Sequence, residues 1–192
     1  TTSNGKYGSA MQFDGSNDYV ALGTSSLLNP KNITISVWVK PYSFPSFPYI
    51  IAWDFYGTQR GYILYYDSSS FKSFIFKTDI SYSNIGGSTS PTIGNWYHVV
   101  MTYQYITDGT SKLNLYFNGR LDATEVSNAV GPIQTMTNGA LEIGRRGDGN
   151  SNSYNNGLID EVSIWNRSLS AQEISDIYKR GALRLNLTVR TC

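Results

Sequence analysis

The 192 residues predict an all-β fold of two packed antiparallel sheets with one short C-terminal helix. Apolar residues recur with period two in short runs, as in half-buried strands. Gly, Asn, Asp, Ser and Pro separate these runs at close spacing, and only one segment near the end departs from the pattern. The length suits one domain, and two sheets suit it better than a barrel.

The first strands are expected at Met11–Phe13 and Tyr19–Leu22. Over Ile33–Lys40, Ile33, Ile35, Val37 and Val39 fall on one side and Thr34, Ser36, Trp38 and Lys40 on the other, because successive strand side chains alternate. Pro41 ends that run. Further strands are expected at Tyr49–Trp53, Gly61–Tyr66, Phe71–Lys77, Tyr97–Tyr103, Leu113–Phe117, Ala140–Gly144 and Leu158–Trp165. Asn118-Gly119 follows Leu113–Phe117 and marks a hairpin, since a type I′ turn needs positive φ at both central residues. Stretches 41–48, 83–91 and 144–157 read as loops. Ser170-Ala171-Gln172-Glu173 is a capping box, with Leu169 and Ile174 at the staple positions and Lys179, Arg180 and Gly181 at the far end. A helix over Ala171–Arg180 follows. The domain is expected to span residues 1–182. In 183–192, Leu183, Leu185, Leu187 and Val189 alternate with polar residues, as a last strand or the start of a following module.

Lys+Arg is 15 and Asp+Glu 14, for a net charge of +1, so the field with which nucleic-acid binders collect phosphates has no source here. Charged residues are 15% against about 25% in typical soluble domains, and polarity comes instead from hydroxyls and amides. No apolar run reaches the roughly 20 residues of a spanning helix, so no membrane insertion is expected. A chain running from Thr1 to Cys192 reads as a segment of something longer. Cys192 has no internal disulfide partner, and sequons at Asn32, Asn166 and Asn186 fit an extracellular or cell-surface address.

Six pieces stand in a recognisable order. They are 8–20 (ending Phe13-Asp14-Gly15-Ser16-Asn17-Asp18-Tyr19-Val20), 33–41 (Ile33-Thr34-Ile35-Ser36-Val37-Trp38-Val39-Lys40-Pro41) and 95–100 (Asn95-Trp96-Tyr97-His98-Val99-Val100). Leu115-Tyr116-Phe117-Asn118-Gly119, Leu141-Glu142-Ile143-Gly144 and 157–170 (opening Gly157-Leu158-Ile159-Asp160-Glu161) complete the set. From about residue 5 to 181 the chain resembles the laminin-G-like group of concanavalin A-like domains. The resemblance implies a jelly-roll sandwich, commonly a carbohydrate-binding or adhesion module of secreted multidomain proteins, often with a structural calcium ion. A ligand does not follow from fold alone.

Glycosidases of this fold need two carboxylic acids flanking the scissile bond. The pattern that such relatives carry, Glu-x-Asp-x-x-Glu on one strand, starts at none of Glu125, Glu142, Glu161 or Glu173, so no catalytic residue is expected. His98 reads as a hydrogen-bonded strand histidine. A lyase or hydrolase would have to draw on His98 with Tyr103 or Arg145.

Calcium accepts carboxylates, amides and carbonyls. Asp160 alternates with Leu158, Val162 and Ile164, so it should face an apolar side where it needs a cation or donors. Relatives place a calcium near the corresponding early and late segments, which suggests a site from Asp160, Asp14 or Asp18. The plainer alternative is that Asp14 and Asp18 cap a turn while Asp160 accepts backbone N–H bonds. Sugar recognition needs aromatic faces and planar polar groups. The densest cluster of these runs from Trp53 to Asp67, with Trp53, Tyr56, Arg60, Tyr65 and Asp67 as expected contacts, and Arg145, Asp148 and Tyr154 as a second rim. Arg146-Gly147-Asp148 also spells an integrin-type tripeptide. The expected function is thus a non-catalytic module, monomeric in isolation, that binds a glycan or a cell-surface protein. A purely structural or protein-interaction module is the rival.

Overall fold

The computed structural model describes residues 1–2, 4–55, 59–78, 81–106, 111–127, 131–148 and 153–180. In chain order the strands are β1 (Met11–Asp14), β2 (Val20–Ala21), β3 (Ile33–Pro41), β4 (Tyr49–Phe55), β5 (Gln59–Tyr66) and β6 (Phe71–Phe76). They continue with β7 (Tyr82–Gly86), β8 (Tyr97–Tyr105), β9 (Ser111–Phe117), β10 (Arg120–Ser127), β11 (Glu142–Ile143) and β12 (Asn156–Trp165), followed by helix α1 (Ala171–Lys179). Two six-stranded antiparallel sheets result, in the orders β1-β12-β3-β8-β9-β10 and β2-β11-β4-β5-β6-β7. This is the jelly-roll sandwich expected. The distant ends of the chain meet in the first sheet, where Met11 lies opposite Ile159 and Asp14 opposite Asn156.

Alternation decides what the sheets bury between them. Ile33, Ile35, Val37 and Val39 of β3 pack inward with Val99 and Met101 of β8 and with Ile50, Trp53, Tyr62 and Leu64 of the second sheet. Ser36 and Trp38 therefore point out of the first sheet, opposite Val100 and His98 of β8.

Two strands, β7 and β10, were not legible as strands, and residues 83–86 had read as loop. Each is the last strand of its sheet. An edge strand has one neighbour and carries polar residues that discourage further pairing, so it lacks a strong apolar alternation. β2 and β11 are two residues each, shorter than expected, because β11 lies between β2 and β4 only at Glu142 and Ile143.

The hairpin after β9 forms as expected, with Asn118 at φ 49° and Gly119 at φ 77°. Gly119 has a second reason to be glycine, because a Cβ there would lie 2.9 Å from Tyr178 of α1. The helix is capped as the sequence indicates: the Ser170 hydroxyl accepts from the Glu173 N–H at 3.3 Å, and the Glu173 carboxylate accepts from the Ser170 N–H at 2.8 Å. Leu169 and Ile174 seat the helix against Val100 and Tyr116 on the outside of the first sheet. Ser170→Ala should lower unfolding free energy by about 1 kcal/mol, read as a shifted urea midpoint with unchanged slope. An unmoved midpoint would mean that the cap does not hold the helix. Residues 183–192 lie outside the described residues.

One irregularity reshapes the expected site. Asp160 is opposite Trp38 and Ser163 is opposite Ser36, so β12 carries one extra residue between them. Glu161, within this bulge, takes φ 50°, a left-handed conformation uncommon outside glycine. The bulge inverts the alternation. Ile159 and Ile164 both face inward, opposite Val39 and Ile35, although they are an odd five positions apart. Asp160 is consequently on the outer face with Trp38, and not on the side of Val162 and Ile164 where unbroken alternation would put it.

Candidate functional site

The Trp53-to-Asp67 cluster does not form a binding face. Trp53 is 0% exposed between the sheets, with its ring edge-on to Tyr62. Tyr65 points the other way, out of the second sheet, but stacks between Tyr49 (5.6 Å, 23°) and Phe74 (6.0 Å, 23°) and is 8% exposed. Its ring faces are spent on neighbouring rings and are not offered to a sugar. Arg60 donates from two nitrogens to the buried Asp54 carboxylate at 2.7 and 3.0 Å and lies over Phe76. Asp67 closes a turn through the N–H groups of Ser69 and Ser70 and pairs with Lys72. Burial pushes its carboxyl up, but the hydrogen bonds from Lys72 and Ser69 outweigh this and hold it far below the usual range. Tyr56 lies outside the described residues.

The second expected rim is also internally paired. Arg145 grips Glu142 through two nitrogens at 2.7 and 2.9 Å, donates to the Tyr154 hydroxyl at 3.1 Å and covers the Tyr19 ring. Arg146 and Asp148 bind each other bidentately at 2.8 and 2.7 Å. The two charged ends of the Arg-Gly-Asp tripeptide thus face one another, with their side chains only 15% and 20% exposed, and are not displayed to a receptor.

Asp14, Asp18 and Asp160 do not converge. Asp14 lies opposite Asn156, which is four residues from Asp160, or ~13 Å along β12. Asp14 accepts from the N–H groups of Ser16 and Asn17, and Asp18 accepts from that of Asp14. Asp160 accepts from the N–H groups of Tyr7 (3.1 Å) and Glu161 (2.9 Å). Its charge is met by backbone donors, and it ties the N-terminal segment to the outside of the first sheet. Among the described residues no cluster of three or more His, Cys, Asp or Glu is placed to hold a metal. The expected pairing of Asp160 with Asp14 or Asp18 around a calcium ion is therefore not assembled by these side chains.

The structure brings a different set together. Between β3, β8, β12 and α1, on the outside of the first sheet, a pocket of about 230 Å³ is lined by Tyr7, Ser36, Trp38, His98, Glu161, Ser163, Trp165, Ile177 and Arg180. Its floor is the buried trio Ser36, Trp38 and His98. The Ser36 hydroxyl and His98 Nε2 are 2.8 Å apart. Trp38 is clamped by Tyr178 stacked at 5.6 Å and 20°, by Tyr7 edge-on at 6.0 Å, and by the Lys6 ammonium 4.2 Å from its ring centre. Burial lowers His98 to about 4, so it is neutral at neutral pH. Around this rigid floor stand the half-buried Tyr7, Ser163 and Trp165 and the exposed Glu161 and Arg180. Among the described residues, the side chains of Glu161, Ser163 and Arg180 have no hydrogen-bond or ion-pair partner.

Sequence reasoning passed over this pocket, although one signal was present. Trp38 stands on the Thr34, Ser36 and Lys40 side of a strand whose other side is wholly apolar. A large ring on the polar face of a central strand needs a covering, and here α1 and the N-terminal segment provide it. The arrangement supplies aromatic walls with donors and acceptors around a cavity the size of a single small ring.

Comparison with known proteins agrees with the fold. Residues 14–175 match the laminin G-like family within the concanavalin A-like lectin/glucanases superfamily. Over 88 residues the chain is 34% identical to the human adhesion G-protein coupled receptor D1, a match covering 46% of this chain and 10% of the receptor. Among solved structures it resembles the heptameric SAP-like pentraxin of Limulus polyphemus, with TM-score 0.65, 18% identity, and 87% and 80% of the two chains covered. It also resembles the CBM40 of a Ruminococcus gnavus IT-sialidase, solved with α2,3-sialyllactose, with TM-score 0.69, 14% identity, and 88% and 96% covered. With a family match spanning most of its length and a two-sheet sandwich whose ends meet in one sheet, the chain belongs to the laminin G-like family of the concanavalin A-like superfamily.

Proposed function

We propose that this domain is a non-catalytic recognition module that binds a carbohydrate in the pocket beneath α1, as part of a larger secreted or cell-surface protein. The observation that carries the reading is the pocket itself. Tyr7 and Trp165 offer ring surface, while Glu161, Ser163 and Arg180, unpartnered among the described residues, supply hydrogen-bonding groups above a floor locked by stacking. A sugar presents C–H faces and hydroxyls in this combination, and its hydroxyls are well matched to a carboxylate and a guanidinium at the rim. The strained backbone of Glu161 fits a residue that the bulge holds out towards a ligand. The lectin-type and adhesion-receptor relatives point to the same class of role.

Catalysis is disfavoured by chemistry. Among the described residues this pocket is lined by one carboxylate, Glu161, and the carboxylates of the adjoining cavity, Glu173 and Asp176, are engaged by Arg167 and Gln172, whereas glycoside hydrolysis uses two acids flanking the bond. Ser36 and His98 have the contact of a nucleophile and its base, but a histidine lowered to about 4 is poorly matched to proton abstraction near neutral pH. Its Nδ1 is buried with no partner among the described residues to orient the ring.

The test is a glycan array with the purified chain, followed by titration of the sugars retained. Glu161→Gln and Arg180→Ala should each weaken binding by about tenfold or more, the worth of one charge-assisted hydrogen bond, while the melting temperature stays put. Binding that neither substitution affects, or an array with no retained sugar, overturns the reading.

A further inference from the structure

We infer that the binding site is a groove of two adjoining subsites that accepts a linear saccharide of at least two rings, with Trp165 as the wall that both rings share. The inference rests on the carbohydrate reading above and extends it. A second cavity of about 310 Å³ is lined by Trp165, Arg167, Leu169, Glu173, Asp176, Ile177 and Arg180. Trp165, Ile177 and Arg180 also line the first, so the two cavities are neighbours along one side of α1. Each is near or below the lower end of the roughly 300–1,000 Å³ that holds a drug-sized ligand, so each suits one ring and neither suits a chain.

The subsites differ in chemistry, and the difference assigns their roles. In the first, Glu161 and Ser163 have no side-chain partner among the described residues, and neither does Arg180 at the junction. In the second, the polar groups already satisfy one another: Arg167 donates to Glu173 through two nitrogens at 2.6 and 3.1 Å, and Asp176 accepts from Gln172 at 2.9 Å. A ring in the second subsite therefore gains little from new hydrogen bonds. It gains from contact with the Trp165 ring and Ile177, which is tolerant of sugar identity. The first ring is read by its hydroxyls, and the second is held by stacking.

The experiment titrates the full chain, by tryptophan fluorescence and calorimetry, with gluco-, galacto-, manno- and N-acetylglucosamine oligosaccharides of one to four units. In at least one series, affinity should rise about tenfold from one unit to two and then level off. Trp165→Ala should abolish that rise, and Trp165→Phe, which keeps a ring and guards against a folding defect, should retain most of it. Glu161→Gln should weaken one-unit and two-unit ligands equally. Equal affinity for one and two units, or a rise that survives in Trp165→Ala, overturns the two-subsite inference and leaves the carbohydrate reading intact. No binding in any series overturns both. Binding that appears only after residues 181–192 are removed assigns the groove to the chain's own C-terminal segment and overturns the inference.

Discussion

Trp53→Ala should destabilise the domain by about 3–5 kcal/mol, the range for removing a large buried aromatic side chain and leaving a cavity. The ring is 0% exposed and packs edge-on to Tyr62 amid the residues that both sheets contribute to the interior. Its indole Nε1 is buried with no partner among the described residues, so the side chain is there for volume and not for a polar contact. Domains of this size are commonly stable by only 5–15 kcal/mol, so the variant should melt far lower or fail to accumulate folded. Urea titration gives the magnitude. The result that would return Trp53 to the binding site is a variant of native stability that has lost its ligand. Glu161→Gln should behave in the opposite way, losing ligand and keeping stability, and the pair separates the two roles of aromatic-rich strands.

The contrast between Trp53 and Trp38 shows where sequence reasoning reaches its limit. The interior strands, the hairpin and the helix were legible because alternation, Asn118-Gly119 and the Ser170–Glu173 box are local signals tied to local geometry. The density of rings from Trp53 to Tyr66 was also visible, but density does not say which face a ring takes. Alternation does: Trp53 and Tyr62 sit opposite each other and point inward, while Tyr65 points out into a stack with its neighbours. The pairings of Arg60 with Asp54 and of Arg146 with Asp148 could not be read in advance, because they depend on backbone paths that bring two charges within 3 Å. Asp160 was misplaced for a more specific reason. One extra residue in β12 reverses every side chain after it, and Asp160-Glu161-Val162-Ser163 carries no glycine or proline to announce a bulge. That same bulge holds Glu161 at the rim of the pocket, so the feature that defeated the prediction helps to build the site.

Acidification from pH 7 to 4 should cost about 3 kcal/mol through His98 alone. The sign follows from where the proton binds. Unfolded, the imidazole titrates near 6.5, but in the folded domain burial lowers it to about 4, so between these values the unfolded chain holds the proton and the folded chain does not. Stability from this group is full above pH 6.5, falls as pH drops through the window, and levels off below 4; the interval from 6.5 to about 4, at about 1.36 kcal/mol per pH unit, sets the scale as ~3 kcal/mol. Glu173, held down first by Arg167 and then by Ser170, enters at the bottom of the window, and Glu125, which burial raises, acts there with the opposite sign; both are unchanged in His98→Gln, so the difference between the two proteins isolates His98. Urea unfolding at pH 7, 5.5 and 4 should show the loss, and His98→Gln, less stable at pH 7 through its altered packing against Trp38 and Tyr178, should show a much flatter dependence. Parallel slopes in the two proteins would mean that His98 is not the group responsible. Because the folded imidazole stays neutral down to about pH 5, the pocket floor keeps its Ser36 contact across that range, and this group should leave ligand affinity unchanged while stability is already falling.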